Sequence, residues 1–132
     1  MLLPALPGGW ATSAGGGQSA WTTTTTQRDS PPNAAFTPDS ASTGSNELVS
    51  AAITLPINPS QLTFKHRYEL ESGYDGGVLE IKVGAGAFTD ILTAGGTFAS
   101  GGYTTTLSSG NALGARQAWS GTNATFTAVV VN

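Results

Sequence analysis

The sequence has no cysteine among its 132 residues, which excludes disulfides, thiolate metal sites and thiol nucleophiles together. Charge is also scarce. Acidic and basic side chains make up 10% of the residues, against ~25% in an average soluble domain. The net charge is only −3, and the few basic residues form no cluster, so we expect no nucleic-acid partner. No stretch approaches the ~18 consecutive apolar residues of a membrane span, so we also expect no membrane insertion.

Glycine, serine and threonine dominate what is present, with 18 glycines alone. Short β-branched or alternating segments, separated by turn residues, predict eight or so strands and no helix. The predicted strands are 20–26, 47–55, 61–71, 78–83, 88–92, 103–107, 116–120 and 124–131. Strands at this spacing predict an all-β fold, an antiparallel two-sheet sandwich with jelly-roll (galactose-binding-like) topology.

The chain is about one domain long. Residues 1–9 are predicted to be an N-terminal arm or linker, since two prolines prevent a helix there, while Leu2, Leu3 and Leu6 can dock on a surface. Residues 10–132 are predicted to form the β-sandwich domain. The opening MLLPALPGGW lacks the basic start and unbroken apolar core of a signal peptide. We expect either that a leader has been removed or that the chain is a piece of a longer exported protein, extracellular or at the cell surface.

The strongest pattern lies in residues 61–83, QLTFKHRYELESGYDGGVLEIKV. Its first half alternates with a period of two, which predicts a strand with one buried and one wet face. This alternation puts His66, the single histidine, on the apolar face with Phe64 and Tyr68. A catalytic triad or a zinc site would need an exposed ring beside a nucleophile or further ligands. We therefore predict a buried, hydrogen-bonded core histidine.

The opposite face of the same strand carries two carboxylates, Glu69 and Glu71, about 7 Å apart by strand rise. A glycosidase needs such a pair across a cleft, but Lys65 and Arg67 share this face, which favours a solvated charge ladder. If the two halves of residues 61–83 pair directly, Arg67 lies opposite Glu80; if they belong to different sheets, that pairing fails. We predict no catalytic residue and no enzyme activity.

A metal site is the next candidate, in the loop ESGYDGG that follows the first half of this stretch. Calcium takes six to eight oxygen ligands, and a glycine-rich turn lets main-chain carbonyls point inward. Glu71 and Asp75 come from the loop, and Asp39 from a long upstream loop supplies a third carboxylate. Any ion here would be structural Ca²⁺, and no other cofactor is predicted. The alternative is a plain capped loop without a metal.

Carbohydrate binding would need exposed aromatic rings beside polar groups. Tyr74 and Tyr103 are the candidate ligand-binding residues. Trp119 is available too, but a jelly roll also needs aromatic side chains in its core, and we assign Trp119 there.

Two runs of the sequence resemble a known family. HRYELESGYDGGVLEIKVGAGAFTDI, followed by SGGYTTTLSSGNALGARQAWSG, is similar to jelly-roll domains of large exported bacterial proteins. These are close to the accessory β-sandwich domain of immune inhibitor A-type peptidases and, more distantly, to MAM adhesion domains. The residues that carry the resemblance are Tyr68, Glu71, Tyr74, Asp75, Gly76, Gly77, Leu79, Glu80, Phe88, Asp90, Gly102, Tyr103, Arg116, Gln117, Trp119 and Gly121.

The resemblance covers roughly residues 7–131. It implies a non-catalytic extracellular binding or spacer module, often with a structural calcium ion. Two features depart from the family. The pattern of relatives continues into at least one more core strand, whereas this chain stops at Asn132, which predicts a sandwich that lacks a terminal strand. The turn VGAGAF also lacks the aspartate usual in the corresponding DGG turn.

Three functions therefore compete. The first is a non-catalytic extracellular binding or adhesion module of an exported bacterial protein, whose partner is a protein or carbohydrate at the cell surface. The second is a self-assembling subunit of an extracellular filament or surface layer, in which an apolar arm or C-terminus of one copy fills a groove of another by strand complementation. The third is an accessory domain of a secreted hydrolase.

Overall fold

The computed structural model describes residues 5–132, and within that range the chain is all-β with no helix. The predicted fold class is thereby confirmed, while the jelly-roll topology and a missing terminal strand stay predictions. Leu2 and Leu3 of the predicted arm lie outside the described residues. The strands are β1 (Ala11–Gly15), β2 (Thr22–Thr24), β3 (Ala34–Phe36), β4 (Ser45–Val49), β5 (Leu62–Glu69), β6 (Glu80–Ile81), β7 (Thr89–Asp90), β8 (Phe98–Ser100), β9 (Thr105–Thr106), β10 (Gln117–Ala118) and β11 (Thr122–Val131).

The chain divides into two compact units. The first comprises Met1–Leu55 with Asn111–Leu113, and the second comprises Pro56–Gly110 with Gly114–Asn132. The boundary predicted at residue 9 stays a prediction.

The first unit consists of two antiparallel strand pairs, β1 with β4 and β2 with β3. Polar side chains hold its loops. Asn46 donates through Nδ2 to the Ser19 carbonyl and to the Thr37 hydroxyl, both at 2.7 Å. Thr23 is the one residue of this unit that is buried among those described. Hydrogen bonding, more than apolar burial, shapes this part of the chain.

The second unit is built around a three-stranded antiparallel sheet in the order β5–β11–β8. Strand β11 is ten residues long and pairs along β5 from Thr122, opposite Glu69, to Val131, opposite Leu62. The register shifts between Asn123 and Thr127, which marks a β-bulge. Two further pairs, β6–β7 and β9–β10, complete the unit.

One face of the three-stranded sheet carries the core. Ile91, Trp119, Val129 and Val131 are buried together. Six partly buried side chains pack against them: Phe64, Tyr68, Leu79, Ile81, Phe98 and Tyr103. Aromatic rings around Trp119 meet edge to face, with centroid separations from 4.7 to 5.9 Å, the arrangement that ring quadrupoles favour. The assignment of Trp119 to the core is confirmed, since it is only 5% exposed.

Several strand predictions need correction. The segment predicted as strand 47–55 pairs only as far as Val49, and Ile53 and Leu55 beyond it are 70% and 60% exposed. Strands β1, β3 and β8 lie outside the predicted strands. Phe36, in β3, is 43% exposed.

Candidate ligand-binding site

An open depression of about 250 Å³ lies beside the β9–β10 pair. It is lined by Tyr103, Thr104, Thr105, Thr106 and Gln117. None of these side chains carries a charge at neutral pH, and every one has a hydrogen-bonding group. Tyr103 was a predicted ligand-binding residue, whereas the three threonines and the glutamine were not predicted to bind a ligand. The TTT run and the glutamine come from consecutive strands, and the pairing of Thr106 with Gln117 brings them together.

Tyr103 is fixed at the edge of this depression by the core beneath it. Its ring meets Trp119 at a centroid distance of 4.8 Å and Phe98 at 5.0 Å, both edge to face. Its hydroxyl accepts a hydrogen bond from the Leu79 N–H at 3.0 Å and donates to Asp90 Oδ2 at 3.0 Å. Burial, with the carboxylate beside it, raises the pKa of Tyr103 to about 12. The hydroxyl is therefore already engaged within the protein.

Three charged side chains form a hydrogen-bonded group next to the Tyr103 hydroxyl. Arg116 donates through Nη2 to Asp90 Oδ2 at 2.6 Å and through Nη1 to Glu80 Oε1 at 2.7 Å. Burial alone would raise the pKa of Asp90, but hydrogen bonds from Arg116, the Leu92 N–H and Tyr103 hold it below its usual range. Burial opposes the charge of Arg116, and the two carboxylates outweigh it and raise its pKa. The three charged groups sum to −1, so this group does not attract anions.

The outer face of the β9–β10 pair carries the polar groups that remain available. Thr106 and Gln117 are both exposed and stand directly opposite each other, which places their side chains side by side on one face. Among residues 5–132, neither side chain forms a hydrogen bond with protein, nor does that of Thr105. Thr104 differs, because its hydroxyl accepts from the Ser120 N–H at 3.0 Å and donates to the Ser120 carbonyl at 3.2 Å.

The loop predicted to hold calcium is closed around the hydroxyl of Ser120, which is only 7% exposed. Ser120 Oγ accepts from the Gly73 N–H at 2.9 Å and donates to the Asp75 carbonyl at 2.5 Å, with the Glu71 carbonyl at 3.3 Å. The main-chain carbonyls of Glu71 and Asp75 do point inward, as a calcium loop requires, but they face the Ser120 hydroxyl. Gly76 is required at this point, because a Cβ there would lie 2.7 Å from Leu107 Cδ2.

The carboxylates proposed for calcium lie in different parts of the chain. Glu71 and Asp75 belong to the second unit, and Asp39 belongs to the first. Within residues 5–132, no three acidic or histidine side chains form a group that could hold a metal ion. A structural calcium ion stays a prediction. Tyr74, in the same loop, is 61% exposed, and its ligand-binding role stays a prediction as well.

His66 lies on the predicted aromatic face of β5. Its ring is 4.7 Å from Trp119 and 5.1 Å from Tyr68, centroid to centroid, and it is half-buried. Burial lowers the pKa of His66 below its ordinary value, so the ring is held neutral as a packing element.

The wet face of β5 does not pair with Glu80. Arg67 binds Glu69 at 2.5 Å on its own strand, while Glu80 binds Arg116. Strand β5 pairs with β11, and β6 pairs with β7. Of the two alternatives left open for Arg67, the one with the strands in different sheets is therefore correct.

In the described residues, no helix is long and apolar enough to cross a membrane. No family model, curated protein or solved structure matches the chain. The similarity to jelly-roll domains of exported bacterial proteins stays a prediction.

Proposed function

We propose that the chain is a non-catalytic extracellular binding or adhesion module, and that the depression beside β9–β10 is its binding surface. The observation that carries the proposal is the lining, in which Tyr103 is joined by four uncharged polar side chains, and three of these four form no hydrogen bond within residues 5–132. Such a set recognises a ligand by hydrogen bonding. It has no general base and no activated nucleophile among the lining residues, so it supports binding rather than catalysis.

Rigidity supports the same function. Ala118, next to Gln117 in β10, is fully buried, and Trp119 follows it into the core. The Tyr103 ring is fixed by its hydroxyl and by two aromatic neighbours. A surface whose supports are already ordered loses little conformational entropy when a ligand binds.

The experiment is a solid-phase panel of immobilised extracellular-matrix proteins and cell-surface glycans, probed with the chain displayed as a tetramer. We expect binding to at least one immobilised class, and loss of that binding in Gln117→Ala. The matched control is Thr125→Val, a change at an exposed residue in the bulge of β11, which should bind like the parent. Binding to no member of either class, or equal binding by Gln117→Ala, would contradict the proposed function.

A second candidate, self-assembly by strand addition, is favoured by one observation in the first unit. The residues after β4 have strand-forming sequence, yet Ile53 and Leu55 are unpaired by any described strand and largely exposed. A β-competent apolar segment of this kind is a template for pairing with another copy. Sizing across a dilution series tests it, because a monomer at every concentration would argue against assembly.

A further inference from the structure

We infer that the ligand of the β9–β10 depression is a neutral carbohydrate, bound through Thr106 and Gln117. This inference rests on the proposed function and names the ligand class of the same site. It follows from the charge, the hydrogen-bonding pattern and the size of the depression.

Charge excludes the ionic ligand classes first. The lining residues carry no charge, and Arg116, the cation nearest in sequence to Gln117, has both its bonds to carboxylates. A phosphate, sulfate or carboxylate would need an unshared cation or a set of main-chain N–H groups. A cationic ligand would find only the net charge of −1 on Arg116, Asp90 and Glu80, which are already hydrogen-bonded to one another. An uncharged ligand fits this surface best.

The hydrogen-bonding groups then specify hydroxyls. A threonine hydroxyl both donates and accepts, and a glutamine amide does both through separate atoms. Thr106 and Gln117 stand side by side and point to the same face, so they present alternating donors and acceptors over a few ångströms. Vicinal hydroxyls of a sugar ring, each also a donor and an acceptor, complement such a pair.

Size and openness set the affinity. Ligand pockets for small molecules usually enclose ≈ 300–1,000 Å³, and this depression is about 250 Å³ and open to solvent. It accepts one or two sugar units and buries only part of them. Monovalent binding is therefore expected in the millimolar range, and display of several copies should strengthen it by ~10²-fold or more.

The test is a glycan array that contains neutral, sialylated and sulfated members, together with a set of immobilised proteins. It is probed with tetramerised full chain as the parent, as Thr106→Val and as the control Thr125→Val. Threonine and valine are nearly isosteric, so Thr106→Val removes only the hydroxyl at the site. We expect neutral glycans to bind and Thr125→Val to bind unchanged. Thr106→Val should bind at least tenfold more weakly, because the loss of one hydrogen bond near ~1.4 kcal/mol weakens each site about tenfold and the loss multiplies over the copies that bind together.

The failures are distinguishable. Binding that is confined to acidic glycans, or that Thr106→Val leaves intact, would overturn the carbohydrate assignment of this site. Binding to immobilised proteins that is lost in Thr106→Val, with no glycan bound, would overturn the inference and leave the proposed binding function standing. Absence of binding to every probe would overturn both.

Discussion

Ser120→Ala should destabilise the second unit by disrupting the loop that precedes β6. The hydroxyl of Ser120 receives the Gly73 N–H at 2.9 Å and donates to the Asp75 carbonyl at 2.5 Å, at a position only 7% exposed. Its removal leaves a donor and an acceptor without their partner. Each unsatisfied buried group costs about 1–3 kcal/mol, and access of water to the exposed side of the loop reduces the sum. We expect a loss of about 2 kcal/mol in the free energy of unfolding.

Urea denaturation followed by tryptophan fluorescence measures this loss, because Trp119 adjoins the altered residue. Thermal unfolding should show a fall in Tm of about 6–8 °C for a domain of this size. The control is Ser109→Ala in an exposed loop, which should change stability by less than about 0.5 kcal/mol. If Ser120→Ala costs no more than the control, the hydroxyl does not organise the loop.

A calcium ion in the same loop makes a separate prediction. Bound calcium stabilises the folded state by mass action, so excess chelator should lower the Tm of the parent if the ion is present. A Tm that is unchanged in chelator, combined with a large loss in Ser120→Ala, would leave the serine hydroxyl as the group that orders the carbonyls and would remove the calcium prediction.

Three further perturbations test other parts of the account. Because the pKa of Asp90 is lowered in the folded state, the ionised carboxylate stabilises the fold above the unfolded-state pKa of ~3.9, and this stabilisation is lost as pH falls through the folded-state pKa. Asp90→Asn should therefore be less stable than the parent at pH 6 and should lose less stability on acidification. Parallel plots of unfolding free energy against pH for the two proteins would contradict the ion pair. Tyr103, with a pKa of about 12, should ionise at higher pH than an ordinary tyrosine in an absorbance titration at 295 nm, where its signal is the difference between the parent and Tyr103→Phe. Its contribution to stability should fall as pH rises from ~10 toward 12. A titration midpoint near 10 would contradict its burial. The double variant Ile53→Ser, Leu55→Ser should lower concentration-dependent association in sedimentation while leaving Tm within about 2 °C, because both side chains are largely exposed; unchanged association would argue against strand addition.

Strands were predicted most accurately from the sequence where one signal, the period-two alternation of apolar and polar residues, dominated. The alternation of β5 predicted its existence and the face that carries Phe64, His66 and Tyr68, since a slip by one residue would turn these rings to the other face. His66 accordingly lies beside Trp119 and Tyr68. The Val-rich end of β11 was recognised for the same reason, and it provides the two buried valines Val129 and Val131 of the core. At two positions of β5 the predicted burial was wrong, because Leu62 is 44% exposed and the Arg67 side chain is only 17% exposed.

The proposed binding surface was only partly predictable, because it depends on side-chain contacts and on the register between two strands. Both strands, 103–107 and 116–120, were predicted. Tyr103 was proposed as an aromatic ligand group, but nothing in the sequence indicates that its hydroxyl is engaged by Leu79 and Asp90. The role proposed for Gln117 arises from its position opposite Thr106, a contact set by the β9–β10 register. Strands of two residues carry no periodicity, so the sequence did not predict that register.

Failed strand predictions have a similar cause. Ile53 and Thr54 have high β-propensity, but propensity describes fit to a half-buried sheet, and no described strand pairs with them. Conversely, β1 contains small residues and ends in glycine, yet it pairs with β4 through five consecutive partners. Tertiary pairing decided both cases against local preference.

The most direct test of the binding function is an NMR titration of the isotope-labelled full chain with neutral monosaccharides at millimolar concentration. We expect fast-exchange shifts confined to the main-chain amides of Thr105, Thr106 and Gln117 and to the Gln117 side-chain amide, with saturation in the millimolar range. The same titration of Thr106→Val should require about tenfold more sugar for saturation. Shifts that cluster elsewhere in the second unit, or no shift at any of these amides, would show that this uncharged depression is not the binding site.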